Sequence, residues 1–166
     1  MNDTYVECLV SRETKGIMKF LKYLLIILAV LLFFGSFLVG FAFGLILAIA
    51  CGVGAYFLSI YSDVEFEYLY VDRQISVDKI YSKQKRKKVA TYEVDKMEIF
   101  APVFSYKLDD YKNRDVKVID YSAGVEKQPD VRYAFFYEGQ QKILLEPSEA
   151  FVKAVQNVAP RKVFTN

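Results

Sequence analysis

The sequence predicts a membrane-anchored α+β protein: a two-helix transmembrane hairpin followed by an antiparallel β domain that ends in a helix. Three observations carry this. Residues 23–62 contain no charge, and 32 of those 40 positions are hydrophobic. Residues 63–166 hold repeated period-2 patterns rich in aromatic and β-branched side chains, which is how strands read. After Pro147 the period changes to that of one amphipathic helix. The overall 54% hydrophobic and 25% charged composition therefore averages two dissimilar parts, and it excludes a plain soluble globule, a disordered chain and a disulfide-rich mini-protein.

Residues 1–17 form an N-terminal segment. Tyr5, Glu7 and Leu9 alternate with Val6, Cys8 and Val10, which fits a strand paired with the later domain and equally a surface segment leading into the membrane. Next comes the hairpin, residues 18–62. A single helix of this length would reach about 60 Å, twice the hydrocarbon thickness of about 30 Å. Two spans, 18–34 and 41–61, fit if the chain turns between Gly35 and Gly40. Arg12, Lys15, Lys19 and Lys22 precede the first span, a basic run follows the second, and the turn carries no charge. The positive-inside rule then places both termini on the cytoplasmic side of the cell membrane. Lys19 and Lys22 can snorkel to headgroups, with Phe20, Tyr23, Tyr56, Phe57 and Tyr61 at the same interface. A signal peptide fits less well, because the apolar run is too long and no polar sequel follows a cleavage site. The Ala48-Ile49-Ala50-Cys51 sequence lies too deep in the chain for a lipoprotein box.

Gly40, Gly44, Ala48 and Gly52 recur every fourth residue and make a small-residue ridge for helix packing, either against the first helix or in a homodimer. The spans hold no ionisable side chain, which argues against a proton or ion pathway built from these helices alone.

Residues 63–166 suffice for one domain. The predicted strands are 64–71, 75–81, 89–94, 97–100, 116–121, 131–137 and 143–146. Turns fall at Asp72-Arg73 and Gly139, and a longer irregular connection runs from Pro102 through the polar stretch 109–115. Ser148 caps a helix whose apolar positions Phe151, Val152, Val155, Val158 and Ala159 form one stripe ending at Pro160.

About seven strands followed by one amphipathic helix is the element order of a pleckstrin-homology-like (PH-like) antiparallel barrel or roll, with a generic α+β roll as the plainer alternative. The segments Glu67-Tyr68-Leu69-Tyr70-Val71-Asp72, Ile75-Ser76-Val77-Asp78-Lys79-Ile80-Tyr81, Lys85-Arg86-Lys87-Lys88-Val89 and Met97-Glu98-Ile99 sharpen this. They resemble the bacterial PH-like domains that follow a transmembrane helical pair. With Ala159-Pro160-Arg161-Lys162-Val163-Phe164, nearly the whole chain resembles a family of small Gram-positive bacterial membrane proteins. The resemblance implies architecture and no activity. Phosphoinositide-binding PH domains place cations in the first hairpin turn, whereas Asp72-Arg73 is nearly neutral.

Chemistry is scarce. There is no histidine, and Cys8 and Cys51 form no metal-binding or redox motif. Asp109, Asp110, Asn113 and Asp115 are the one acidic loop to weigh as a hard-cation site, but position three is Tyr111 and the glycine an EF-hand needs is Arg114, so a solvated loop is the simpler reading. No phosphate-binding glycine loop or nucleophile elbow occurs. The expectation is therefore a non-enzymatic protein without cofactor or metal. Its sharpest local feature is Lys83-Gln84-Lys85-Arg86-Lys87-Lys88, five cations in six residues. These suit anionic headgroups at about 1 kcal/mol per cation near the surface, or a solvated hairpin loop. Nucleic acid is disfavoured, since residues 63–166 hold 18 basic against 17 acidic side chains and lack a basic stacking platform. Two functional readings follow: a membrane protein presenting a cytoplasmic PH-like domain to a protein or to anionic lipid, or an auxiliary subunit of a transporter or signalling complex docked through the glycine ridge.

Overall fold

The uncharged stretch folds as two helices, α1 (Gly16–Val39) and α2 (Phe41–Ser62). The structure is a computed structural model and describes residues 5–39, 41–125 and 128–165, the side chains of Leu38 and Val39 excepted. Both helices are long and apolar enough to cross a membrane. α1 does not stop at residue 34. It continues through Gly35 and Ser36, whose hydroxyl donates to the Phe33 carbonyl at 2.6 Å. In hydrocarbon a helix is the conformation that pairs the backbone within one segment, so an early glycine turn has nothing to favour it. Residues 35–39 of the expected turn are therefore helical, and Gly40 lies outside the described residues.

The helices are antiparallel, with Lys22 Nζ donating to Ser59 Oγ at 2.9 Å and Ser36 packed on Gly44 farther along. Among the less exposed positions are Lys22, Leu25, Ala29, Leu32 and Ser36 on α1, and Gly44, Ala48, Cys51, Ala55 and Leu58 on α2. That alternation of threes and fours is the seam of two helices crossing at a shallow angle. Most remaining apolar side chains are exposed, Phe43 by 84%, so the pair is apolar all round, as a membrane span is.

The chain divides into two compact units, the helices (14–64) with residues 81–85, and the remainder. The remainder includes residues 5–13 from before the hairpin. Its first sheet runs in the order β1 (Val6–Arg12), β2 (Val64–Val71), β3 (Gln74–Tyr81), β4 (Lys85–Glu93). The alternating N-terminal segment is thus a strand. Two-residue turns at Asp72-Arg73 and Ser82-Lys83 join β2 to β3 and β3 to β4, with φ of 47° and 62°, and 46° and 56°. Paired positive φ values are those of the tight hairpin turn whose twist matches the strands. Because the second turn closes at Gln84, whose N donates to Tyr81 O at 3.0 Å, the strand resumes at Lys85. Most of the expected basic loop is therefore strand, on an edge where exposed cations are well tolerated.

The second sheet contains β5 (Met97–Pro102), β6 (Lys117–Asp120), β7 (Tyr133–Tyr137) and β8 (Gln141–Leu145), in the order β5-β7-β8-β6. β7 is antiparallel to β5 and β8, but β6 is parallel to β8, with Lys117 opposite Gln141 and Asp120 opposite Leu144. The long connection 121–132 permits this by carrying the chain past β8 before β7 begins. Among the described residues, eight strands thus make two open four-stranded sheets, one of them mixed, and no closed barrel. The C-terminal tail extends the second sheet: Phe100 N donates to Lys162 O and Phe164 N to Phe100 O, both at 2.8 Å.

α3 (Glu149–Val158) begins at Ser148, whose hydroxyl accepts from Phe151 N at 3.3 Å. Its buried Phe151 ring lies 6.2 Å from both Tyr68 and Tyr70 of β2. Tyr68 also donates to the Tyr121 carbonyl at 2.6 Å and accepts from Glu146 N at 3.4 Å, while Tyr92 and Tyr121 hydroxyls meet at 3.3 Å. This buried network ties the sheets together, and burial pushes the Tyr68 and Tyr92 phenols well above their ordinary range. The other face of the second sheet, with Ile99, Ala101, Ala134 and Phe136, is covered by Leu108 and Tyr111 of a 3-10 turn (Tyr106–Tyr111). The Tyr111 and Phe136 rings are 4.7 Å apart. The connection expected to be irregular is therefore a lid on the core.

Candidate membrane-surface site

Helix ends leave backbone groups unpaired, and at the end of α2 the chain supplies partners for them. Thr14 Oγ1 donates to Ser62 O at 2.9 Å, Ser82 Oγ to Ile60 O at 3.2 Å, and Ser62 Oγ to Ser59 O at 3.2 Å. Ser82 N donates to Asp63 O at 2.8 Å, and the Tyr61 and Tyr81 rings meet edge to face at 5.7 Å. These contacts fix the 81–85 turn at the C-terminal end of α2. Lys83 and Lys85 thereby join Lys15, Lys19 and Lys22, which sit at the adjoining start of α1. The helical unit holds those five cations against the single anion Asp63, a net +4, while the remainder holds 17 basic against 19 acidic residues, a net −2.

For α1 itself these lysines are poorly placed. A helix N-terminus carries partial positive charge and prefers carboxylates, yet the first turn of α1 has none. Lys15 accepts backbone bonds from Met18 and Lys19, so it stands at the N-terminus. For α2 the same cations are favourable, since its C-terminal end is negative.

The five cations predicted as one run are divided. Lys83 and Lys85 belong to the helical unit, and Arg86, Lys87 and Lys88 to the other. On β4, Lys85, Arg86, Lys87 and Lys88 are all exposed. Arg86 is already engaged, its guanidinium 2.7 Å from Glu67 Oε1. Arg12 is likewise internal, donating to Asp120 O at 3.1 Å with Asp120 Oδ2 at 3.7 Å. Lys15 and Thr14, whose part depends on the fold of the 81–85 turn, carry no local sequence signal beyond charge and a hydroxyl.

The small-residue ridge is also divided. A Cβ on Gly44 would lie 2.5 Å from Ser36 Cβ, and Ala48 is buried, so both face α1. Gly52 has no neighbour within 4 Å, because a four-residue row winds off a seam that continues through Cys51 and Ala55. Gly40 lies outside the described residues. In the acidic loop Asp109 pairs with Lys112 at 2.6 Å, and no group of three potential metal-ligating side chains occurs among the described residues. Cys8 is half-buried with its Sγ 3.8 Å from Glu146 O, and burial raises its pKa, the opposite of an activated thiol.

A family described as Bacterial PH-like domain (DUF6106) matches residues 2–165. No curated protein and no solved structure matches the chain.

Proposed function

The chain belongs to this bacterial PH-like family, and from that premise we propose that it is a non-enzymatic cell-membrane protein whose helix hairpin is seated by a lysine collar on anionic headgroups of the cytoplasmic leaflet. The PH-like domain is then presented to a protein partner. One observation carries the lipid part: the Ser82 and Tyr81 contacts gather Lys83 and Lys85 with Lys15, Lys19 and Lys22 at one end of the hairpin, where three of them work against the α1 dipole. An anionic surface offsets that cost, at about 1 kcal/mol per cation. The net −2 of the remainder supports a headgroup contact made by the collar and a protein contact made by the domain. Both ends of the hairpin on one side is supported by β1 and β2, which flank the helices in sequence and are neighbours in one sheet.

The test reconstitutes the full chain in nanodiscs of mixed phosphatidylglycerol and phosphatidylcholine and counts retained lipid by native mass spectrometry. Lys15→Gln, Lys19→Gln and Lys85→Gln combined with Lys83→Gly should lower retained phosphatidylglycerol and leave phosphatidylcholine unchanged. Equal retention by the variant overturns the collar. Labelling of Asn166→Cys from outside intact cells overturns the orientation.

A further inference from the structure

On β2, Phe66, Tyr68 and Tyr70 face the core, so Glu65 and Glu67 lie on the opposite face of the first sheet. Both are nevertheless buried, Glu67 to 2% exposure. Glu65 accepts from Ser11 Oγ at 3.1 Å. Glu67 Oε1 takes Arg86 at 2.7 Å, but no donor among the described residues reaches Glu67 Oε2. The neighbouring strand β1 brings Glu7 beside Glu67, with the exposed Glu7 carboxylate accepting from the Tyr5 hydroxyl at 2.8 Å. Asp78 of β3 adds a second buried oxygen, Oδ1, without a donor. The groups around Glu67 are thus Tyr5 and Glu7 from β1, Glu65 on its own strand, Asp78 from β3 and Arg86 from β4. Arg86 pairs with Glu67, while Glu7 and Asp78 each add negative charge beside it.

Two ionised carboxylates offer each other only lone pairs, and a buried oxygen without a donor is costly. A single proton between them turns repulsion into a hydrogen bond, as in other close carboxyl pairs. We propose that Glu7 and Glu67 share a proton in the folded protein, and that this proton fastens β1 to the sheet, so that the strand leading into α1 is held more firmly in acid. Burial first, and the Glu7 carboxyl second, raise the Glu67 pKa, while Arg86 opposes them. Glu7 is lowered, chiefly by the Tyr5 hydroxyl, so the proton resides mainly on Glu67. A raised carboxyl stabilises the fold fully below the ordinary glutamate pKa, and that stabilisation is lost as pH rises through the folded value.

The experiment measures hydrogen-exchange protection factors of the β1 amides, residues 6–12, in full-length protein in nanodiscs across acidic to mildly alkaline pH. Wild type should lose protection as pH rises, about tenfold for each unit by which Glu67 is raised. In Glu67→Gln the amide can donate to Glu7 while its carbonyl accepts from Arg86, and the pH dependence should vanish. Glu7→Gln makes the same bond from the other side and should also be flat. Asp78→Asn should move the wild-type midpoint to lower pH, and Arg86→Met to higher pH. A pH-independent β1 in the wild type, or an unchanged slope in both glutamine variants, overturns the shared proton. None of these readouts depends on lipid composition, so failure of the collar leaves this result standing.

Discussion

Gly44→Ala tests the helix seam by adding one carbon. The new Cβ would stand 2.5 Å from Ser36 Cβ and 2.8 Å from Ser36 Cα, against an ordinary carbon contact of about 3.5–4.0 Å. The obstacle is largely backbone and Cβ, which cannot rotate away, so the helices must part by roughly 1 Å where they now touch. Overpacking of this kind costs about 1–3 kcal/mol. The better helix propensity of alanine, up to about 1 kcal/mol in water, offsets part of it. The expected net loss is thus about 1–2 kcal/mol. Gly52→Ala, with nothing within 4 Å, should be neutral or slightly stabilising. Ser36→Gly combined with Gly44→Ala should restore part of the loss, because the Cβ clash goes while the 2.8 Å approach to Cα remains. Unfolding of the full chain titrated with sodium dodecyl sulfate in mixed micelles reads all four proteins on one scale. If Gly44→Ala matches wild type, or Gly52→Ala loses as much, the seam does not run through Gly44 and the reasoning fails.

Two further substitutions probe the rest of the molecule. Tyr68→Phe removes the hydroxyl that donates to Tyr121 O and accepts from Glu146 N, taking the donor from the Tyr121 carbonyl at a cost of about 1–3 kcal/mol. Thermal denaturation should rank it below Tyr92→Phe, which loses one long bond to Tyr121, and the reverse order would show that the Tyr68 network is peripheral. Lys83→Gly relieves a side chain at φ 56° and should stabilise the hairpin turn by about 1 kcal/mol while lowering phosphatidylglycerol retention. Stability and retention falling together would mean that Lys83 serves the fold and not the lipid.

What was legible in the sequence followed from local physics. β2 was readable to the residue because Val64, Phe66 and Tyr68 alternate with Glu65 and Glu67 in a run of β-branched and aromatic residues that ends at the Asp72-Arg73 turn. α3 was readable from Ser148 and the Phe151, Val152 and Val155 stripe. Two apolar helices were forced by hydrocarbon thickness. The missed features depend on distant partners. Leu108 and Tyr111 sit in a polar run, and only the sheet face beneath them makes them core. β6 is parallel because of where β8 lies, which no pattern within residues 117–120 encodes. β4 begins at Lys85 because a short turn over residues 82–84 sufficed, so a run of cations that reads as loop is an edge strand. The lysine collar was only half legible: the charges were visible, but the turn that gathers them was not. Glu67 looked like the solvent side of an alternating strand, and its burial comes from neighbours on β1 and β4.

The placement of β1 beside β2 has a consequence for how the protein is made. Fifty-one residues, the whole hairpin among them, separate Arg12 from Val64, so the first strand to leave the ribosome waits until the helices have been delivered before its neighbour exists. On the proposed topology, a chain that threaded only one helix through the bilayer would leave β1 and β2 in different compartments, β1 without its neighbour and β2 with an open edge. On that topology, completion of the domain reports correct insertion, because a misthreaded chain exposes an open sheet edge prone to aggregation.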